Sequence, residues 1–175
     1  MKTQRIHLRP LVDSDAPALF DYWREPTVNC FADMKMHTLD DAVRYIHDTE
    51  HAAVHLGVCL EDGTLIGDVA ADRERGDTYG LVWALNPEFQ GKGYATEAAR
   101  EFLRYLFEKE GARRVYAYVE EDNIPSRRLC ERLGMRLEGC FKEFISFVKN
   151  PDGTPKYENT CVYAILNWEF KDSNP

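Results

Sequence analysis

The chain has 175 residues, of which 44% are hydrophobic and 30% are charged, and its formal net charge is −8. This composition is typical of a globular protein and excludes a disordered one. The acidic balance argues against a general nucleic-acid binder, and no apolar run has the length of a membrane-spanning helix. We expect one domain over residues 1–175, without nucleic-acid or membrane partners. The N-terminus lacks the apolar stretch of a secretory signal, so we expect a cytoplasmic location.

The first half of the chain predicts a strand, two helices and an antiparallel meander. Residues 5–11 alternate apolar and polar side chains, as a half-buried strand does. Ser14 or Asp15 can cap a first helix, and a second helix follows Thr38, with its apolar side chains on one face. Three further strands, joined by turns, are predicted at residues 54–60, 65–71 and 79–85.

The second half predicts two helices and three strands. A long helix over residues 94–110 repeats apolar side chains at i, i+3 and i+4, and Gly111 ends it. A second helix begins at Asn123, with Pro125 in its first turn and Gly134 at its end. The strands are predicted at residues 114–119, 136–148 and 157–168.

A glycine-rich segment, Gln90-Gly91-Lys92-Gly93-Tyr94-Ala95, joins a predicted strand to the long helix. Its glycines allow tight turns, and the first N–H groups of the helix have no internal partner and favour an anion. The segment therefore predicts a pyrophosphate site, although a plain strand-to-helix turn would also explain the glycines. A Rossmann loop is excluded because Thr96 stands in place of the third glycine, and no Walker motif is present.

Two segments of the chain resemble motifs of the GNAT acetyltransferases. Residues 86–98 are similar to the family's acetyl-coenzyme A motif, whose core [QR]-x-x-G-x-[GA] is matched by Gln90, Gly93 and Ala95. Residues 123–135 resemble the second family motif, at the family's spacing. Residues 139–143 and 157–168 are similar to the branch of ribosomal-protein N-terminal (RimJ/RimL-like) acetyltransferases.

The resemblance implies an α/β (α+β) fold with a mixed, mostly antiparallel central sheet of about seven strands and about four helices on both faces. It implies that the sheet is splayed at the cofactor site. The implied activity is transfer of an acetyl group from acetyl-CoA to a primary amine, either a peptide N-terminus or a small amine, by direct attack. A longer acyl-CoA as donor stays open, and a homodimer is compatible with the family.

The resemblance also assigns the cofactor contacts. Backbone groups at Trp83, Ala84 and Leu85 would pair with the pantetheine arm and polarise the thioester carbonyl. Asn123 would bond to the pantetheine with Ser126 close by, and helix capping is the alternative role of Asn123. The pyrophosphate would be held by Gln90, Gly91, Lys92, Gly93, Tyr94, Ala95 and Thr96.

The expected catalytic groups depart from the family pattern. Cys130 stands where many GNAT proteins carry a tyrosine acid, and Gly80 where a glutamate is often found. We predict Glu143 as the base and Ser126 as an acid, with an exposed, non-catalytic glutamate as the alternative for Glu143. The two departures leave open a catalytically inactive acyl-CoA-binding module.

The helix pair after Ser14 and Thr38 is expected to form the acceptor wall. Tyr22, Trp23 and Phe31 are the predicted contacts, and core packing is the alternative role of these aromatic side chains.

No metal site is expected. The five cysteines are scattered and include no C-x-x-C pair, so reduced and mostly buried thiols are predicted. His47 and His51 lie four residues apart, but the residues between them do not form the H-E-x-x-H motif of zinc proteases.

Overall fold

The computed structural model describes residues 1–48 and 52–170, so His51 lies outside the described residues. Within them, four α-helices are found: α1 (Ala16–Trp23), α2 (Leu39–His47), α3 (Tyr94–Glu108) and α4 (Ile124–Arg132). The strands of the same residues are β1 (Ile6–Arg9), β2 (Val54–Leu60), β3 (Leu65–Glu74), β4 (Thr78–Leu85), β5 (Arg114–Glu120), β6 (Arg136–Lys149) and β7 (Pro155–Leu166). None of the described helices is both long and apolar enough to cross a membrane.

The seven strands form one open sheet in the order β1-β2-β3-β4-β5-β7-β6. Every neighbouring pair is antiparallel except β4 and β5, which run parallel. The β4–β5 ladder joins only Thr78–Gly80 to Arg114–Tyr116, and beyond these residues the two strands separate. The predicted mixed, mostly antiparallel and splayed sheet is therefore confirmed.

Local signals in the sequence explain where the helices begin. The Thr38 hydroxyl accepts a hydrogen bond from the Asp41 N–H at the start of α2. Asn123 caps α4 in the same way, by accepting from the Ser126 N–H over 3.2 Å. Gly93 precedes α3 with φ 86°, a left-handed conformation that favours glycine. All three helix starts agree with the sequence prediction.

The strand ends differ from the prediction by a few residues because strand length depends on the partner. β3 continues to Glu74, since it pairs with β4 as far as Thr78. β7 ends at Leu166 and not at residue 168, because its partner β5 begins at Arg114, opposite Leu166. Trp168 follows in a turn, where its side chain is exposed.

Two hydrophobic clusters cover opposite faces of the sheet. Val58 of β2 packs in the cluster of α3 and α4, and its neighbour Cys59 packs in the cluster of α1 and α2. Since successive residues of a strand point to opposite faces, the helices cover both faces, as predicted. On β5, Tyr118 points away from the α3–α4 cluster, which holds Ala117 and Val119, and remains exposed.

Candidate active site

The separation of β4 and β5 opens a cavity of about 1770 Å³. It extends from the N-termini of α3 and α4, through the gap between the strands, to α1 and α2. We refer to the part at the N-termini of α3 and α4 as the cofactor end and to the part at α1 and α2 as the acceptor end. Ligand sites commonly lie in such clefts, where a sheet opens and helix N-termini point inward.

The cofactor end is formed largely by backbone. Gly91 and Gly93 have φ values of 73° and 86°, so the turn into α3 uses left-handed conformations that other residues rarely adopt. The first intrahelical bond of α3 joins the Glu97 N–H to the Gly93 carbonyl. The N–H groups that precede Glu97 have no intrahelical acceptor and form the positive end of the helix dipole, beside the cavity. This arrangement suits an anion.

Nearly all the predicted cofactor residues line the cavity. Lys92 does not: its Nζ donates to the Glu88 carbonyl over 3.1 Å and lies 5.3 Å from the centre of the Phe89 ring. The residues that do line it are Trp83, Ala84, Leu85, Gln90, Gly91, Gly93, Tyr94, Ala95, Thr96, Asn123 and Ser126.

Two arginine side chains add positive charge at the cofactor end. Arg128 and Arg132 of α4 line the cavity, and Arg132 Nε donates to Thr96 Oγ1 over 3.1 Å, which joins α4 to the start of α3. Arg127 is directed elsewhere, since it donates to the Tyr163 hydroxyl and to the Glu121 carbonyl. Of Arg127 and Arg128, which are adjacent in the sequence, Arg128 is therefore the better placed to contact a phosphate.

One backbone edge of β4 faces the gap. The Asn86 N–H donates to the Ile66 carbonyl on the β3 side. Because backbone groups alternate in an antiparallel ladder, the N–H and carbonyl of Leu85 and Trp83 face the opposite side, where β5 has separated. The Leu85 carbonyl accepts from Gln90 Nε2 over 3.2 Å, which leaves the Trp83 groups available in the cavity.

Glu143 is not brought to the cavity. It lies exposed on β6 with φ 48°, and its N–H donates to Asn159 Oδ1 over 2.8 Å. The pairing passes from Phe141–Thr160 directly to Ile145–Glu158, so three residues of β6 lie opposite the single Asn159. The prediction of Glu143 as the base rested on its place on the strand after the second motif, which does not reveal this bulge.

Sequence reasoning missed a second glutamate, Glu120, at the end of β5. Its side chain lines the cavity, is only 7% exposed, and accepts the Cys30 N–H over 2.9 Å. Burial raises the pKa of Glu120, and the nearby carboxylates of Asp122 and Glu158 raise it further. The alternation of β5 could have identified it, because Val115, Ala117 and Val119 face the core and Glu120 faces the other side.

The acceptor end contains the predicted aromatic wall. Tyr22, Trp23 and Phe31 all line the cavity, and the Trp23 and Phe31 rings meet edge to face at 5.0 Å. Trp23 is also buried in the cluster of α1 and α2, so it belongs to the core and to the wall. Core packing is therefore observed for Trp23, and contact of the three side chains with the acceptor stays a prediction.

A buried carboxylate, Asp68 of β3, connects the elements of this wall. Asp68 is 3% exposed and accepts hydrogen bonds from the Tyr22 hydroxyl at 2.6 Å and the Tyr45 hydroxyl at 2.7 Å. His55 Nε2 lies 2.9 Å from the same carboxylate. Burial and the Asp68 charge raise the pKa of both tyrosines, which keeps them as hydrogen-bond donors. The group joins α1, α2, β2 and β3, and no local pattern in the sequence indicates it.

Comparison with known proteins identifies the family. Residues 5–136 match the family described as "Acetyltransferase (GNAT) domain". The chain belongs to this GNAT family. It is an acyl-CoA-dependent N-acyltransferase with the GNAT fold.

Individual relatives agree with this assignment over nearly the whole chain. An uncharacterized N-acetyltransferase of Bacillus subtilis, YnaD, is 31% identical over 96% of this chain and 97% of its own length. The crystal structure of a GNAT acetyltransferase from Bacillus anthracis has a TM-score of 0.83 and 30% identity, covering 96% of this chain and 98% of that one. The spermidine N(1)-acetyltransferase of Escherichia coli is 26% identical over 77% of this chain and 74% of its own length.

The structure explains the two departures from the GNAT pattern noted in the sequence. Cys130 is fully buried, and burial raises its pKa to about 12, so it stays a neutral core thiol. A Cβ at Gly80 would lie only 3.1 Å from the Tyr116 hydroxyl, so Tyr116 occupies the space that a larger residue would need. On the same face of β5, Glu120 supplies a carboxylate that Gly80 cannot.

Proposed function

We propose that this protein transfers the acetyl group of acetyl-CoA directly to a primary amine of a small, elongated polyamine. The observation that carries the proposal is the buried carboxylate of Glu120, which faces the gap between β4 and β5. In this proposal Glu120 replaces Glu143 as the base, because Glu143 lies away from the cavity.

The cofactor end would hold acetyl-CoA through its anionic and amide groups. The pyrophosphate would accept hydrogen bonds from the first N–H groups of α3, with Arg128 and Arg132 neutralising charge. Asn123 Oδ1 is occupied in capping α4, so its amide nitrogen would donate to the pantetheine. The Trp83 N–H would donate to the thioester carbonyl and stabilise the oxyanion, a contact whose loss typically costs about 2.7–4 kcal/mol.

The reaction needs a base because the acceptor is protonated in solution. An alkyl amine with a pKa near that of lysine is neutral only about 0.04% of the time at pH 7. Glu120 would take a proton from the ammonium, directly or through one water, and the amine nitrogen would attack the thioester carbon. The tetrahedral intermediate then expels the CoA thiolate, and Ser126, which lines the cavity, would relay to it the proton that the attacking nitrogen loses as the amide forms.

The charges at the acceptor end favour a cationic acceptor. The lining there includes the basic side chains of Lys35 and Arg44 and a larger set of carboxylates, namely Asp41, Asp48, Asp72, Glu120 and Asp122. Electrostatic complementarity of this kind selects positively charged ligands and accelerates their association. The relative from E. coli is named as a spermidine acetyltransferase, which supports a polyamine over a peptide N-terminus.

An aromatic strip extends the acceptor end along the sheet. Tyr118 lines the cavity and its ring lies 6.0 Å from that of Phe144, which lies 5.0 Å from Phe141. All three side chains are roughly half exposed. Exposed ring faces attract ammonium groups, so the distal end of a polyamine would lie over Tyr118 while its reacting amine meets Glu120.

The test is release of free CoA from acetyl-CoA in the presence of spermidine, a peptide with a free N-terminus, or an aminoglycoside. We expect turnover with spermidine to exceed turnover with the other two acceptors. A preference for the peptide would overturn the polyamine assignment and favour the RimJ/RimL-like branch. Binding of acetyl-CoA without turnover on any amine would favour the inactive binding module.

A further inference from the structure

Two cysteines face each other across the β6–β7 pair. Cys140 and Cys161 are direct register partners in this antiparallel ladder. Opposed residues of antiparallel strands have Cα atoms about 4.5–5.5 Å apart, which falls within the range of about 4.4–6.8 Å found for disulfides. Both residues are free cysteines. The backbone therefore already has the separation that a disulfide needs.

We propose that Cys140 and Cys161 are an oxidation site that forms a cross-strand disulfide with a small-molecule disulfide oxidant such as oxidised glutathione. This inference rests on strand register alone and is independent of the acceptor and mechanism proposed above.

The exposure of the two thiols sets the order of the chemical steps. Cys140 is partly exposed, whereas Cys161 is 2% exposed. The Cys140 thiolate attacks one sulfur of oxidised glutathione, breaks its S–S bond and releases one glutathione thiolate. The Cys161 thiolate then attacks the Cys140 sulfur of the mixed disulfide and releases the second glutathione thiolate. The two protons lost by the cysteines are taken up by the two glutathione thiolates.

The environment of Cys161 makes the second step the slow one. Burial is the largest cause of the raised pKa of Cys161 and persists in the mixed disulfide, so little Cys161 thiolate is present at neutral pH. Arg127 acts in the opposite direction through its positive charge. The mixed disulfide on Cys140 should therefore accumulate before the Cys140–Cys161 disulfide forms.

One other thiol could compete for Cys161. Cys130 of α4 is buried in the same hydrophobic cluster as Cys161, but it lies on a helix and is not in register with it. Burial raises the pKa of Cys130 to about 12 and it has no exposed surface, so an oxidant does not reach it. Cys130 is therefore the informative control.

A disulfide at this place would fix the edge of the sheet. Cys140 lies in a regular stretch of β6, between a register shift at Leu137–Gly139 and another at Phe141–Ile145. Because β6 is an edge strand, it is held on one side only, and a covalent link to β7 would restrict its opening. The oxidised protein should have a melting temperature several degrees above that of the reduced protein.

The experiment uses the full chain incubated with oxidised glutathione, followed by alkylation of free thiols and mass spectrometry without reduction. The wild type should lose two hydrogen atoms and yield a peptide pair linked through Cys140 and Cys161. Cys161→Ser should stop at one glutathione on residue 140, Cys140→Ser should form neither product, and Cys130→Ser should behave as the wild type.

Two results would overturn the inference. One is a stable glutathione adduct of the wild type that never converts to the Cys140–Cys161 disulfide. The other is a linked peptide that contains Cys130. Thermal melting of each reduced variant shows whether it is folded. If the serine variants are not folded, the variants Cys140→Ala and Cys161→Ala replace them, because alanine adds no polar group to the buried site.

Discussion

The two ends of the cavity are built in different ways. The cofactor end consists mainly of backbone groups at a strand edge and at helix N-termini, and its residues come from a few short segments of the sequence. The acceptor end consists of side chains contributed by α1, α2, β3 and β5. A ligand common to a family can be held by backbone that tolerates sequence change, whereas a ligand specific to one protein needs particular side chains. Substitutions at the two ends should therefore change different kinetic constants.

The largest effect is expected from Glu120→Gln at the boundary between the two ends. Removal of the base should lower kcat about 10²–10⁴-fold while the KM for acetyl-CoA stays nearly constant. The glutamine retains an oxygen that can accept the Cys30 N–H, so the fold is preserved. Steady-state CoA release measures both constants, and Glu143→Gln, which changes an exposed glutamate on β6, is the matched control.

The thermal stability of Glu120→Gln gives an independent check, because the substitution should lower the activity without lowering the melting temperature. Burial raises the pKa of Glu120 in the folded state, so its contribution is fully favourable below the unfolded pKa and is lost as pH rises through the folded pKa. At neutral pH the Gln variant should melt at or above the temperature of the wild type. A lower melting temperature together with low activity would mean that the residue is structural and not the base.

The next largest effect is expected from Gly93→Ala at the cofactor end. Alanine at φ 86° is strained, and the change should cost about 1 kcal/mol of folding free energy or more and displace the first N–H groups of α3. We expect a roughly tenfold rise in the KM for acetyl-CoA, equivalent to about 1.4 kcal/mol, with the acceptor KM unchanged. Gly153→Ala has the same φ of 86° in the β6–β7 turn and should lose stability without a change in KM.

The difference between the two ends also explains what could be predicted from the sequence. Gln90, Gly93 and Asn123 lie in short contiguous motifs whose local geometry depends on near neighbours, and the structure has them where the sequence predicted. Asp68 and Tyr45 meet only after β3 and α2 have packed together, so no local pattern indicates their contact. Glu143 was predicted as the base from its place on the strand after the second motif, and that place does not reveal the bulge opposite Asn159.

An effect of similar size, confined to the acceptor end, is expected from Asp68→Asn. The substitution keeps the volume but weakens charge-assisted hydrogen bonds from Tyr22 and Tyr45, each worth about 1.5–3 kcal/mol. The wall formed by α1 and α2 should loosen, so we expect the acceptor KM to rise about tenfold with the acetyl-CoA KM unchanged. Parallel titrations of both substrates measure this, and an equal rise in both KM values would contradict a role restricted to the acceptor wall.

The smallest effect is expected from Tyr118→Leu, which removes an exposed ring two residues before the base on β5 and keeps an apolar side chain. Cation–π contacts at exposed sites contribute about 0.5–1 kcal/mol, so the spermidine KM should rise roughly two- to fivefold. A short monoamine does not reach the strip from Glu120, and its kinetics should be unaffected. Tyr157→Leu is the matched control, because Tyr157 is 57% exposed against 54% for Tyr118 and lies at the start of β7. If the short and long amines lose affinity equally, Tyr118 supports the cavity itself, and the distal ammonium binds among the carboxylates of the acceptor end.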